Sequence, residues 1–286
     1  MQPEMIADYA CNTGEGPLWH PDEKRVYWVD IPAGRLFRYD PSTGKHEQCL
    51  ELPEAIGGFT LQEDGALLLF MARGAIKLWK DGKLSTIVEE IAAERETRFN
   101  DVIADPAGRV FCGTMSSKNR PGRLYRLDTD RTLTEVVTNV GTSNGLGFTP
   151  DRTRMYYTDT PTHTISIFDY DLVTGAISNR RPFVTSPRDE GGPDGMTVDA
   201  DGCVWSARWD GSRLVRFSPE GKLLLTVMFP VKKVSSVIFG GPTYEDMYIT
   251  TAGGHLKEKD GAQAGALFRL RIPGVRGVPE FRSMIR

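Results

Sequence analysis

"SNGLGFTPDRTRMYYTDT", residues 143–160, reads as two short apolar strands joined by a polar turn, TPDRTR. Brevity and a β-branched and aromatic content mark the flanking runs as strands. The same order recurs along the chain. The runs RVYWVDI, ALLLFMA, RVFCGTM, RMYYTDT, CVWSARW and DMYITTA each follow a turn: HPDEKR, QEDGA, DPAGR, TPDRTR, DADGC or GPTYED. A further strand such as RLFRYD, RLYRLD or ALFRLR follows each after a variable loop. Six recurrences spaced roughly 42 to 50 residues apart have the period of four-stranded propeller blades. The chain is therefore expected to be all-β, one six-bladed β-propeller domain over residues 1–286. A β-sandwich or a pair of β domains predicts no such sixfold regularity. Ring closure is expected from strands of the two chain ends in one blade, with residues 4–10 and 280–285 as candidates. IVEEIAAERE, residues 87–96, is the one helical candidate and falls between blades two and three.

Composition narrows the partners. With 40% hydrophobic and 26% charged residues and a net charge of -3, the chain carries neither a basic stripe for nucleic acid nor a polybasic run for a membrane surface. Small neutral or polar molecules are the expected partners, and a monomer fits this description. The four cysteines, Cys11, Cys49, Cys112 and Cys203, form no CxxC pair, which fits reduced thiols in a cytoplasm. The amino terminus lacks an apolar signal core, and no stretch approaches ~18 consecutive apolar residues, so neither export nor membrane spanning is expected.

A register independent of any motif comes from counting six residues back from the first turn position of each repeat. It lands on Glu15, Gly57, Asn100, Asn144, Asp194 and Ser236. The inner strand of each blade lines the central channel, so these positions converge on one region. Two carboxylates and two amides at one channel mouth, with no lysine or arginine in the register, call for a cation. Oxygen donors of this kind suit hard divalent ions, and the absence of histidine and cysteine argues against a structural zinc site. Asn144-Gly145 taken alone is a hairpin-turn signal. The shared register makes Asn144 a candidate ligand instead, and Gly145 a point of close approach. Asp101 is expected on the opposite strand face from Asn100, supporting the channel wall. Arg98 falls on the same side as Asn100, where it either meets a substrate oxygen or pairs with Glu96.

GEGPLW (14–19), VYWVDI (26–31), RFND (98–101), FCGTM (111–115), SNGLGFTPD (143–151), YYTDT (156–160) and PDGMTVDADGCVW (193–205) together resemble the SMP-30/gluconolactonase/luciferin-regenerating-enzyme family. That family consists of six-bladed propellers that hydrolyse sugar lactones with one divalent metal. The resemblance implies Glu15, Asn144 and Asp194 as metal ligands, Asp194 also as general base, and Arg98 and Asn100 as holders of substrate oxygens. It implies an ion that polarises the carbonyl of an aldonolactone of a pentose or hexose. Ca²⁺ suits the oxygen ligands first, and Zn²⁺, Mn²⁺ or Fe²⁺ also fit three protein ligands. Some members place a substrate-contacting glutamate after GTM, whereas SSKNRPGRLY here holds no acid, which leaves the choice of lactone open. No GxSxG elbow is present, so Ser116, Ser117 and Ser143 are expected as loop residues or hydrogen-bond donors. Two other functions share these features: a metal-dependent phosphotriesterase or arylesterase, and a non-catalytic calcium-binding or scaffold propeller.

Overall fold

The computed structural model describes residues 2–286 and contains six four-stranded antiparallel sheets. Blade four shows the pattern: Ser143–Phe148 innermost, then Arg154–Asp159, Thr164–Tyr170 and Ile177–Thr185 outward. The other inner strands are Gly14–His20, Ile56–Leu61, Phe99–Ala104, Gly192–Val198 and Lys233–Gly240. Each inner strand touches the next around a closed ring, the last meeting the first. The fold is the expected six-bladed β-propeller.

The turns hold because aspartate caps them. Asp105 Oδ1 accepts the backbone N–H groups of Ala107 and Arg109, and Asp199 Oδ1 does the same for Asp201 and Cys203. Such side-chain bonds replace the backbone partners a tight turn cannot offer. Apolar residues then fill the seams between blades, one buried cluster per seam. Trp205 and Phe239, for example, pack edge to face between blades five and six. At roughly 25 cal/mol per Å² of apolar surface removed from water, these seams hold the ring together.

All six inner strands share a further feature. Each carries a one-residue shift in pairing beside the register position: between Glu15 and Leu18, Ile56 and Gly58, Phe99 and Val102, Asn144 and Leu146, Pro193 and Met196, Val234 and Ser236. A bulge re-aims the side chains beside it. Six bulges at one level therefore build a ring of re-aimed side chains around the channel mouth.

Closure differs in detail from the expectation. Glu4–Asp8 forms the outermost strand of blade six, paired with Ala266–Arg271. Residues 280–285 instead form a strap beneath blades two to four. Ser283 exchanges backbone bonds with Leu61 and Glu63, Met284 N–H donates to the Gly108 carbonyl, and Ile285 packs with Phe70, Phe99 and Val110. Glu280 and Phe281 line the lower end of the channel. The segment 87–96 is likewise not a helix: it ends the outer strand Lys83–Val88 and adds one 3-10 turn, Ala92–Glu94. No helix among the described residues is long and apolar enough to cross a membrane.

Candidate metal centre and its relatives

Glu15, Asn100, Asn144 and Asp194 all lie on inner strands and are buried to 5% exposure or less. A chain of hydrogen bonds orients the amides. Arg98 Nη1 donates to Asn100 Oδ1 at 2.6 Å, and Asn100 Nδ2 donates to Asn144 Oδ1 at 2.9 Å and to the Ser143 carbonyl at 2.8 Å. Asn144 Nδ2 donates to Thr160 Oγ1 at 2.7 Å, whose hydroxyl donates to the Pro193 carbonyl at 2.7 Å. Asn144 thus turns its nitrogen outward to Thr160 and keeps its oxygen on the channel side. That oxygen retains a second lone pair.

Close strand approach makes this possible. A Cβ on Gly145 would stand 2.6 Å from the Asp194 carbonyl oxygen and 2.8 Å from Met196 N. Only glycine lets blade four come this near to blade five, which answers the hairpin reading of Asn144-Gly145. Glu15 Oε2 accepts the Gly16 N–H at 3.1 Å. Asp194 Oδ2 is buried with no hydrogen-bond partner among the described residues.

Burial and mutual repulsion shift the carboxyls at the channel mouth. Burial, then the nearby Asp194 and Asp101, raises the Glu15 carboxyl well above its ordinary range. Burial and Asp101 do the same to Asp194, with Arg98 opposing. Asp101 is pushed up to about 7 by burial, again against Arg98. Asp101 therefore does not stand on the far face of its strand. The bulge between Phe99 and Val102 breaks simple alternation, and Asp101 lines the channel just inside the mouth. Arg98 feels all three carboxylates but bonds to Asn100 and the Phe99 carbonyl rather than to Glu96. Glu96 accepts a bond from Asn119 instead.

Three carboxylates and one guanidinium leave the cluster at -2 when fully ionised. A divalent ion would neutralise that charge, and the bare Asp194 oxygen and the Asn144 lone pair are donors of the right hardness for one. The residues present thus fit one divalent ion. Asp101 and Thr160 escaped the sequence: the first through a bulge invisible to alternation, the second because it comes from the turn Thr160–Thr162 after the second strand of blade four. The TDT signature carries Thr160, but nothing in it announces a bond to Asn144.

Residues 13–253 match the family model described as the SMP-30/Gluconolactonase/LRE-like region. The chain belongs to this family. Pentonolactonase XacC of Haloferax volcanii is 52% identical over 98% of both chains. A luciferin-regenerating enzyme superposes with a TM-score of 0.90 at 30% identity, covering 99% of this chain and all of the other. A calcium-binding protein, regucalcin, from Agrobacterium tumefaciens gives a TM-score of 0.89 at 25% identity, covering 99% and 97%. The sequence resemblance and these family members agree over essentially the full length.

Proposed function

We propose that the protein hydrolyses a sugar lactone to its aldonic acid with one divalent metal ion, Ca²⁺ first, at the channel mouth. The observation that carries this reading is the buried cluster of three carboxyls with the unpartnered Asp194 Oδ2 beside the Arg98–Asn100 pair. A relative of 52% identity named a pentonolactonase supports a five-carbon aldonolactone, and the neighbour described as calcium-binding supports the ion.

Glu15, Asn144 and Asp194 would hold the ion, which supplies Lewis-acid polarisation of the lactone carbonyl. Asp194 takes a proton from the attacking water as the new C–O bond forms, and returns it to the ring oxygen as the ring C–O bond breaks. The product is an open hydroxy acid, with no covalent enzyme intermediate. Only Nη1 of Arg98 is engaged by protein among the described residues, so the rest of its guanidinium is available for substrate oxygens. Asn100, locked by three bonds, fixes that guanidinium and the Asn144 oxygen in one arrangement.

A panel of pentono- and hexonolactones, with an aryl ester and a phosphotriester as controls, tests the substrate class. The expected result is a kcat/KM for a pentonolactone at least tenfold above the controls. Preference for the aryl ester or phosphotriester would replace the lactonase reading by an esterase one, and turnover of none would favour a calcium-binding propeller.

A further inference from the structure

The seam between blades four and five is unlike the other five. Its apolar cluster, Tyr156, Ile165, Ile167, Met196, Val198 and Val204, is the smallest of the six, and a polar layer lies above it. Strand alternation places Thr158 on the face of Tyr156, and Ser206 and Arg208 on the face of Val204. Arg208 is only 1% exposed, yet its Nε and Nη1 have no hydrogen-bond partner among the described residues. The same holds for Thr158 Oγ1, Ser186 Oγ and His163 Nδ1. Ser186 and His163 are neighbours, joined by the bond from Ser186 N–H to the His163 carbonyl at 2.8 Å.

The charge here is positive. Burial lowers the His163 pKa, and Arg188 and then Arg208 add to it. The carboxylate that Arg208 feels, Glu190, sits 3.7 Å from Arg213. The Phe217 ring, 5.6 Å from the Arg208 guanidinium carbon, offers the cation a π face but no acceptor. A buried guanidinium without an anion is among the costliest arrangements a fold can hold. Burial accordingly pulls the Arg208 pKa down to about 10.

We infer that the upper seam between blades four and five binds a small monovalent anion of chloride size, held by Arg208, with Ser186 and His163 as neighbouring donors. These buried, unpartnered atoms are guanidinium N–H groups together with hydroxyls and an imidazole nitrogen that can each donate, a set that suits a compact anion rather than a phosphate ester. Its position links it to the channel mouth. Arg208 pairs with Pro193 across the strands, and the Pro193 carbonyl accepts the Thr160 hydroxyl that holds Asn144. The anion would thus brace the wall behind Asn144 and Asp194. This inference does not rest on the lactonase reading.

The test is thermal unfolding of the full-length protein, titrated with chloride or with a bulky organic sulfonate at equal ionic strength. Chloride is expected to raise Tm by about 2–4 °C over the sulfonate, saturably. Arg208→Met, which replaces the buried, unpartnered guanidinium by an apolar chain, should fold and lose the difference. Ser186→Ala should keep the difference but need several-fold more chloride. Crystals soaked in bromide should show an anomalous peak within hydrogen-bond reach of the Arg208 guanidinium. Equal wild-type Tm values in the two salts, a chloride effect that survives Arg208→Met, or no bromide peak beside Arg208 would each overturn the assignment.

Discussion

At the scale of single residues, the candidate centre fixes the orientation of its amides and leaves Asp194 Oδ2 bare. Thr160 is the outermost link in that chain and is not among the residues proposed to hold metal or substrate. Thr160→Ala removes the acceptor of Asn144 Nδ2 and should lower metal affinity about 10–100-fold, the range for losing a group that orients a ligand. Calorimetric titration of stripped protein with Ca²⁺ measures this, and Thr160→Ser should restore most of it. Asp194→Asn keeps the shape but removes both a charge and the base, so kcat should fall by about 10²–10⁴-fold. Unchanged kcat in that folded variant would remove Asp194 from the chemistry. Glu15, Asn100, Asn144 and Asp194 were all legible in the sequence because their bulges occur at one level in successive blades. Counting from the turns thus stays in register. Asp101 was not, since the same bulge turns it from the wall into the channel.

At the scale of elements, the inner strands and the carboxyl-terminal strap do different work. Gly145→Ala would drive a methyl group into the Asp194 carbonyl, 2.6 Å away, and shift one inner strand against the next. A displacement near 1 Å in a catalytic site costs about 10²-fold, so this variant should lose most activity while its circular dichroism stays that of a propeller. Residues 280–285, the other candidate for ring closure, add no strand to a blade, because the outer position of blade six is already filled by Glu4–Asp8. Ile285, 7% exposed among Phe70, Phe99 and Val110, anchors the strap. Ile285→Ala should destabilise the fold by about 2–5 kcal/mol in urea unfolding.

Glu280 gives the strap a pH signature. Burial raises its carboxyl from an ordinary 4.5 to about 7, so the folded chain holds a proton that the unfolded chain releases at lower pH. Relative to Glu280→Gln, the wild type should therefore lose stability as pH rises from about 4.5 to about 7, then stay offset above that. Asp101 lines the same channel and is raised likewise, so the difference between the two proteins isolates Glu280. Parallel Tm profiles of wild type and Glu280→Gln across this window would contradict the assignment.

At the scale of the molecule, the propeller gathers residues from four blades into a centre that no single blade could build. Blade one gives Glu15, blade three Asn100 and Asp101, blade four Asn144 and blade five Asp194. The fold was legible because turns and strands repeat locally. The chemistry was legible only in part, because which oxygens remain bare depends on how neighbouring blades pack. An ion held by Glu15, Asn144 and Asp194, as proposed, would also tie three blades together. The most direct measurement of the central claim is pentonolactone hydrolysis by chelator-stripped protein, followed as Ca²⁺ is added back. The account predicts activity near background without the ion and saturable recovery to one equivalent per chain, absent in Asp194→Ala. Full turnover by the stripped protein would contradict it.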